Sequence, residues 1–208
     1  MSKITIRPVC RLCRREGEKL YLKGLRCESQ KCPMISKNYP PGQHGQNVKR
    51  AKSEFLRQLR EKQKAKRIFG LNEKQFQNYY RKAVKVVGVT GHEFLKLLEK
   101  RLDNVMYRAG FASSRPQARQ IVNHGLCFVN AKKVRAPNHM VKVNDKFEIK
   151  DKAKKFKLFE DTKNKKNMAP KWLKVDLAAL SGEVIAEPGK DDFEKSIQIS
   201  LIIEYYSK

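Results

Sequence analysis

The chain has 208 residues and a formal net charge of +26, because 47 lysines and arginines outnumber 21 aspartates and glutamates. This excess makes a compact chain repel itself, so the composition favours a polyanionic partner such as RNA and disfavours a membrane. We expect neither a secretory signal nor a membrane span, since no apolar run approaches the roughly 20 residues that a spanning helix needs. A reducing compartment is therefore expected, which argues against disulfides.

Four cysteines near the N-terminus form two close pairs, Cys10 with Cys13 and Cys27 with Cys32. Two thiolate pairs separated by a short loop suit a tetrahedral Zn²⁺ ion, because each pair spans one edge of the tetrahedron. Four sulfur ligands leave no open position, so the zinc is expected to be structural. An iron–sulfur cluster on the same ligands and metal-free thiols are the alternatives. Cys127 is expected to pack in a core.

Residues 39–45 read YPPGQHG and predict a shaped loop, since prolines stiffen the chain and glycines permit unusual backbone angles. His44 in this loop is either an RNA contact or part of a stabilising hydrogen bond.

Residues 49–67 contain nine basic and two acidic residues with one weak apolar stripe. This pattern predicts a helix with a wide cationic side that contacts phosphates.

Three capping boxes predict the starts of helices: Asn72 with Gln75, Thr90 with Glu93, and Ser114 with Gln117. The first helix is expected to carry Val87 and to place Tyr79 and Tyr80 in the core, with stacking of the two tyrosines on bases as the alternative. Apolar residues recur every three or four positions over residues 94–106, which predicts one continuous second helix with Asp103 on its surface. The third helix is expected to point Arg115 and Arg119 outward, and a strand at residues 126–129 follows it.

The remaining pattern predicts strands and a charged tail. Residues 130–133 indicate a tight turn, although alanine at position 131 tolerates positive φ poorly and leaves a longer loop as the alternative. Alternating apolar residues predict strands at 141–149 and 197–203, the latter closing the larger domain together with Trp172. The lysine-rich stretch at 150–171 is expected to be an irregular connection.

Acidic residues concentrate at the C-terminal end. Residues 173–208 hold four lysines and seven acidic residues, a net charge of −3, so residues 1–172 carry +29. Because this end would repel phosphates, we expect it to contact a protein neighbour through Glu183, Glu187, Asp191 and Asp192.

One stretch resembles a known family. Residues 101–130, RLDNVMYRAGFASSRPQARQIVNHGLCFVN, are similar to the RNA-binding module named after small-subunit ribosomal protein four. The YPPGQHG loop and the closing IEYYS resemble the same family, in its zinc-binding, four-cysteine, bacterial form. The family usually has glycine where Ala131 stands. The module also occurs in RNA-modifying enzymes, so an enzyme that carries it is the alternative function, and a zinc-bearing DNA regulator is a third.

The resemblance implies a structural, non-enzymatic protein of the small ribosomal subunit. Such a protein binds the five-prime domain of small-subunit rRNA, nucleates assembly, lies where mRNA enters the subunit, supports decoding accuracy and contacts ribosomal protein five. The implied location is a cytoplasmic or organellar ribosome.

The expected fold class is α+β. A mostly helical N-terminal part with a zinc-stapled segment is combined with an inserted helix-helix-strand RNA-binding module with antiparallel strands. The predicted boundaries are 1–45 for the zinc segment and shaped loop, 46–92 for the helical part of the larger domain, 93–165 for the module, and 166–208 for the segment that completes the larger domain. The candidate RNA contacts are Arg14, Arg15, His44, Lys49, Arg50, Lys52, Arg57, Arg60, Arg101, Arg108, Ser114, Arg115, Arg119, Gln120, His124, Lys132 and Lys133.

Overall fold

The computed structural model describes residues 8–47, 53–159 and 169–207. The chain forms two compact units, the first combining Met1–Leu71 with Ser196–Lys208 and the second comprising Asn72–Lys195. The division differs from the predicted boundaries, because residues 72–92 and 169–195 belong with the RNA-binding module. Lys49, Arg50 and Lys52 lie outside the described residues.

The α-helices whose full bounds lie among the described residues are, in chain order, α1 Cys10–Glu16, α2 Leu25–Glu28, α3 Pro33–Ser36, α4 Glu54–Ile68, α5 Glu73–Val84, α6 Thr90–Glu99, α7 Leu102–Arg108, α8 Arg115–Asn123 and α9 Ile199–Tyr206. Short 3₁₀ helices occupy Ala153–Lys155 and Lys190–Asp192. The stretch at 150–159 is therefore partly ordered as helix, and Phe159 within it is buried. Within the described ranges, no helix is both long and apolar enough to cross a bilayer.

The first unit is helical, and α9 packs along α4. The strand predicted at 197–203 is wrong, because residues 199–203 lie in α9. Every second residue from Ile197 to Ile203 is apolar, but Ile199, Ile202 and Ile203 also have the spacing of one helix face, so only the packing decides. In α9, Ile202 is buried and Tyr205 places its ring 5.8 Å from that of Phe55 on α4.

In the second unit, the helix starts only partly follow the predicted capping boxes. The Asn72–Gln75 box is confirmed at the start of α5, with the Asn72 side chain accepting from the Gln75 N–H at 2.8 Å. The second box is wrong, since Val89 is the N-cap of α6 and makes no side-chain cap bond. Helix α5 ends at Val84, so Val87, which was predicted to lie on this helix, is outside it and is fully exposed. Tyr79 is buried.

The continuous helix predicted over 94–106 is broken between α6 and α7. Arg101 is extended and forms an isolated antiparallel bridge with Met140. The N–H of Leu102 donates to the His139 carbonyl at 2.8 Å, and the N–H of Val141 donates to the Lys100 carbonyl at 3.0 Å. A segment about 40 residues away in sequence thus takes over backbone groups that a helix would use, which local periodicity cannot reveal.

Helix α8 begins at the predicted place but with a different cap. The Ser114 side chain makes no cap bond, and the Gln117 Oε1 instead accepts from the N–H and the hydroxyl of Ser113 at 2.6 and 2.7 Å. Ser114 itself is buried.

Within its described residues, the second unit also contains five antiparallel strands, in the order β2-β1-β3-β5-β4. They are β1 Cys127–Val129, β2 Lys132–Val134, β3 Lys146–Ile149, β4 Leu173–Asp176 and β5 Ser181–Val184. Only the end of the predicted strand at 141–149 is a strand. Asn130 and Ala131 have φ of 48° and 61° and form a two-residue turn, so the longer loop is not found.

The sheet and helices α7 and α8 enclose one apolar core. Trp172 lies in this core, so the prediction that it closes the other domain with the last segment is wrong. Cys127 is fully buried there as predicted. The combination of helices with an antiparallel sheet agrees with the expected fold class.

Candidate nucleic-acid interface

The arginine at position 101, predicted to contact RNA, is instead a core residue. Arg101 has 1% of its surface exposed. Its Nε and Nη2 donate to the two carboxylate oxygens of Asp103 at 3.0 and 2.6 Å, and its Nη1 donates to the Tyr79 hydroxyl at 2.9 Å. Asp103, which was predicted to lie on a helix surface, is instead paired with this buried arginine and is itself 4% exposed. This buried ion pair fixes the junction of α6 and α7 and presents no charge to a ligand.

Two further predicted contacts, Arg108 and Arg115, are held by acidic and amide groups of the second unit. Arg108 donates to both carboxylate oxygens of Glu99, at 2.7 and 3.0 Å. Arg115 donates to the Asn104 side chain and to Glu194, both at 2.7 Å. These contacts attach the segment around Glu194 to α7 and α8, which is a structural use of groups expected to face RNA.

Helix α8 therefore presents fewer outward guanidinium groups than predicted. Only 10% of the Arg115 side chain is exposed, and its guanidinium carbon lies 4.6 Å from the centre of the Tyr107 ring. Arg119 is less engaged, with a nitrogen 3.9 Å from a carboxylate oxygen of Asp103 and one fifth of its side chain exposed. Glu194, which sequence reasoning passed over, is the acidic partner that draws Arg115 inward.

The acidic residues predicted to contact a protein also have partners in the same unit. Glu187 bonds to Lys100 at 2.8 Å and to Lys96 at 3.0 Å, and these bonds lower the pKa of its carboxyl. Asp192 accepts from the Gly189 N–H at 2.9 Å. Glu183 stands opposite lysines on both neighbouring strands. Asp191 is exposed.

A cationic surface remains where α8 meets β2. Gln120 and His124 are exposed one turn apart on α8, and Lys133 is exposed on β2. Arg135, which sequence reasoning missed, follows the end of β2 and is also exposed. Gly125 lies between α8 and β1 at φ +65°, and a Cβ there would lie 2.5 Å from the Lys133 side chain and 3.1 Å from that of Arg135. We call Gln120, His124, Lys133 and Arg135 the α8–β2 surface; the predicted contact Lys132 is exposed beside it.

In the first unit, Arg14 shapes the loop at 39–45. Its Nε donates to the Tyr39 carbonyl at 2.9 Å, and its guanidinium carbon lies 4.7 Å from the centre of the Tyr39 ring. A Cβ at Gly45 would lie 1.9 Å from the Pro40 carbonyl oxygen, so only glycine permits this close approach. His44 is exposed and its Nδ1 is 3.2 Å from the Asn47 amide nitrogen, the loop-stabilising contact considered above.

The basic helix α4 is not cationic throughout its outer side. Arg57 is exposed and bonds to Glu54 at 3.1 Å, whereas Arg60 and Arg67 both point to the buried carboxylate of Glu16. Lys62 and Lys64 are 3% and 5% exposed. A large part of the charge on this helix is therefore balanced within the first unit.

The four N-terminal cysteines share one region of the first unit. Cys13, Cys27 and Cys32 are buried and Cys10 is half-buried. Burial raises the pKa of the Cys13 thiol, and the neighbouring thiols of Cys27, Cys10 and Cys32 raise it further. The Lys23 N–H donates to the Cys27 sulfur at 3.3 Å. Over residues 8–47, 53–159 and 169–207, no three such side chains stand in a metal-binding arrangement.

Comparison with known proteins finds similarity to ribosomal proteins along almost the whole chain. A family described as Ribosomal protein S4/S9 N-terminal domain matches residues 5–99, and one described as S4 domain matches residues 100–147. The chain is 51% identical over 210 residues to small ribosomal subunit protein uS4 of Caldicellulosiruptor saccharolyticus, covering 100% of both chains. It is 48% identical over 202 residues to that of Syntrophomonas wolfei, covering 96% of this chain and 97% of the other. The chain belongs to the uS4 family.

The family that the motifs resembled is thus confirmed. The segment that matches the S4 domain contains α7, α8, β1 and β2, and therefore the whole α8–β2 surface. The segment that matches the N-terminal domain contains the cysteines, the shaped loop and α4. In this uS4-family chain, most of the region that matches the N-terminal domain lies in the first unit. The region that matches the S4 domain lies entirely in the second unit, which begins at residue 72.

Proposed function

We propose that this chain is a structural rRNA-binding protein of the small ribosomal subunit and that it contacts rRNA through both units. The observation that carries this proposal is the exposed α8–β2 surface, which the S4-domain match includes. Lysine and arginine neutralise phosphates and release counterions, which supplies affinity, and the rigid helix-to-strand junction selects an RNA shape. The alternative of an RNA-modifying enzyme is disfavoured, because the relatives that match over the full length are named ribosomal proteins.

The proposal includes a more specific placement. The family resemblance supports binding to the five-prime domain of small-subunit rRNA, early nucleation of assembly, a position where mRNA enters the subunit, a part in decoding accuracy and contact with ribosomal protein five. The exposed Asp191 and the partly exposed Glu187 support a protein contact at the acidic end of the second unit.

The four cysteines are proposed to hold a structural Zn²⁺ ion. Their spacing and their burial in one region support this assignment, and the donor set suits zinc because thiolates are its usual ligands in closed sites. When bound, the metal would hold together the segment from Cys10 to Cys32 and would supply no open position for chemistry. Replacing Cys10 and Cys13 with serine is expected to abolish stoichiometric zinc and to disorder the cysteine segment while the second unit stays folded. Full zinc retention would refute the assignment.

The test of the main proposal is a salt titration of binding to the five-prime domain of small-subunit rRNA. Lys133→Gln with Arg135→Gln should weaken binding and lower the magnitude of the salt slope by about 0.7–0.9 for each lost phosphate contact. The matched control is Lys82→Gln with Lys85→Gln, two exposed lysines near the end of α5. An equal loss for both double variants would indicate a general polyanion effect. Binding by the unaltered protein no tighter than to a scrambled RNA would refute the function.

A further inference from the structure

A cleft with three guanidinium groups lies between α1, the shaped loop and α4 in the first unit. Its volume is about 350 Å³, and it is lined by Arg11, Leu12, Arg15, Pro41 and Arg67. This volume falls at the lower end of the range of about 300–1,000 Å³ that is typical of small-ligand pockets. We call these five residues the arginine cleft.

The walls of the arginine cleft are held by the contacts that shape the loop. Arg14 bonds to the carbonyls of Tyr39 and Pro40, at 2.9 and 3.5 Å, and so fixes the segment that leads to Pro41. Gly45 lets the loop fold back against Pro40. The prolines and glycines of the loop therefore allow Pro41 to lie beside the α1 residues Arg11, Leu12 and Arg15.

The cations of the cleft fall into two kinds. Arg11 and Arg15 are four residues apart on α1, so they share one side of the helix, and both are exposed. Arg67 is bonded to Glu16, whose side chain is 1% exposed. Arg67 therefore offers a fixed guanidinium plane with a compensated charge, while Arg11 and Arg15 supply charge that an anion can reach.

We propose that the arginine cleft takes one unpaired nucleotide of rRNA, with its base against Leu12 and Pro41 and its phosphate on Arg11 and Arg15. A free anion would use the guanidinium groups and leave Leu12 and Pro41 without a role. An unstacked nucleotide uses both, because its base has an apolar face and guanidinium planes stack on bases. The inference rests on the proposed function and adds a single-stranded contact in the first unit.

The test uses the full chain and the five-prime domain of small-subunit rRNA. Leu12→Trp fills the cleft and keeps its charges, and Leu25→Trp on the exposed surface of α2 is its matched control. Arg11→Gln with Arg15→Gln removes charge and leaves the apolar wall, and its control is Arg26→Gln with Lys31→Gln, both exposed. Affinity, salt slope and the chemical reactivity of each unpaired base are measured for every variant, and circular dichroism confirms folding.

Leu12→Trp is expected to weaken binding at least about fivefold with an unchanged salt slope, since a stacked base contributes about 1–3 kcal/mol and 1.4 kcal/mol is tenfold. It should also make one base reactive that the unaltered protein protects. The double arginine variant should lower the slope by about 0.7 per lost contact with single-stranded RNA. If Leu12→Trp proves unfolded, the arginine variant must itself make one unpaired base reactive that the unaltered protein protects, and failure to do so overturns the proposal.

Other results distinguish a failure of the nucleotide assignment from a failure of the proposed function. A loss of slope without any effect of Leu12→Trp on affinity or base reactivity would mean that the cleft binds phosphate alone, which overturns the nucleotide assignment. If both cleft variants behave like their controls while the unaltered protein still prefers the five-prime domain, the cleft is empty in the complex and only this inference fails. Loss of that preference in the unaltered protein would refute the proposed function as well.

Discussion

Replacing Arg101 with methionine would separate a structural arginine from an RNA-binding one. The substitution keeps an unbranched apolar stem but leaves the carboxylate of Asp103, which is 4% exposed, without its two charge-assisted bonds. The Tyr79 hydroxyl also loses its donor. Breaking a buried pair by removing one partner costs about 3–5 kcal/mol, because an uncompensated charge stays buried. The nearest nitrogen of Arg119, 3.9 Å from Asp103, compensates only part of this loss, so we expect about 3 kcal/mol.

The assay is urea unfolding of the full chain followed by hydrogen exchange, which reports the second unit separately. Arg81→Met, an exposed arginine on α5, is the matched control and should cost less than about 0.5 kcal/mol. Arg101→Met combined with Asp103→Leu should recover most of the loss, since apolar replacement of both partners is often neutral. Affinity for rRNA under conditions where the variant is folded should be unchanged. A loss below about 1 kcal/mol, or weaker rRNA binding by a fully folded variant, would refute the structural role.

Three further results follow from positions described above. Gly125→Ala should destabilise the second unit by about 1–2 kcal/mol and weaken rRNA binding, because a Cβ at φ +65° is strained and displaces the Lys133 side chain; an unaltered melting temperature would contradict this. Cys127, whose pKa burial raises to about 11, should resist thiol reagents at pH 8 in the native protein and react after unfolding; rapid native labelling would contradict its burial. The pKa of Glu187 is lowered by its bond to Lys100, so its small stabilising effect is present above the unfolded pKa of about 4.3 and is lost as the pH falls through the folded pKa. Glu187→Gln should flatten that part of the acid unfolding curve, and an unchanged curve would exclude the contribution.

Local chemistry explains why some elements were predictable. The capping box at Asn72 formed because its hydrogen bonds lie within one helical turn and need no other segment. Helix α8 and strand β1 also lie where periodicity and alternation placed them. The last segment was mistaken for a strand because its apolar residues fit both alternation and helical spacing, and its packing on α4 decides the outcome.

The candidate RNA-binding site was also predictable only in part from the sequence. Residue type indicated that an RNA-binding surface was present, and Gln120, His124 and Lys133 are indeed exposed together on α8 and β2. Residue type could not distinguish these from Arg101 and Arg115, because the acidic groups that neutralise the two arginines are identified only by folding. Arg135 was missed for the complementary reason, since its place beside Gly125 depends on the strand register.

The amino-acid sequence by itself determined the charge, the cysteine pairs, the shaped loop and the family, because each is a property of residue identity and spacing. Tertiary structure alone decided which cations remain available to RNA. The bridge of Arg101 to Met140 and the bond of Arg115 to Glu194 join residues 39 and 79 positions apart. Burial makes the ion pair of Arg115 strong, because a charge removed from water must find a partner, and no local pattern records that the fold supplies Glu194.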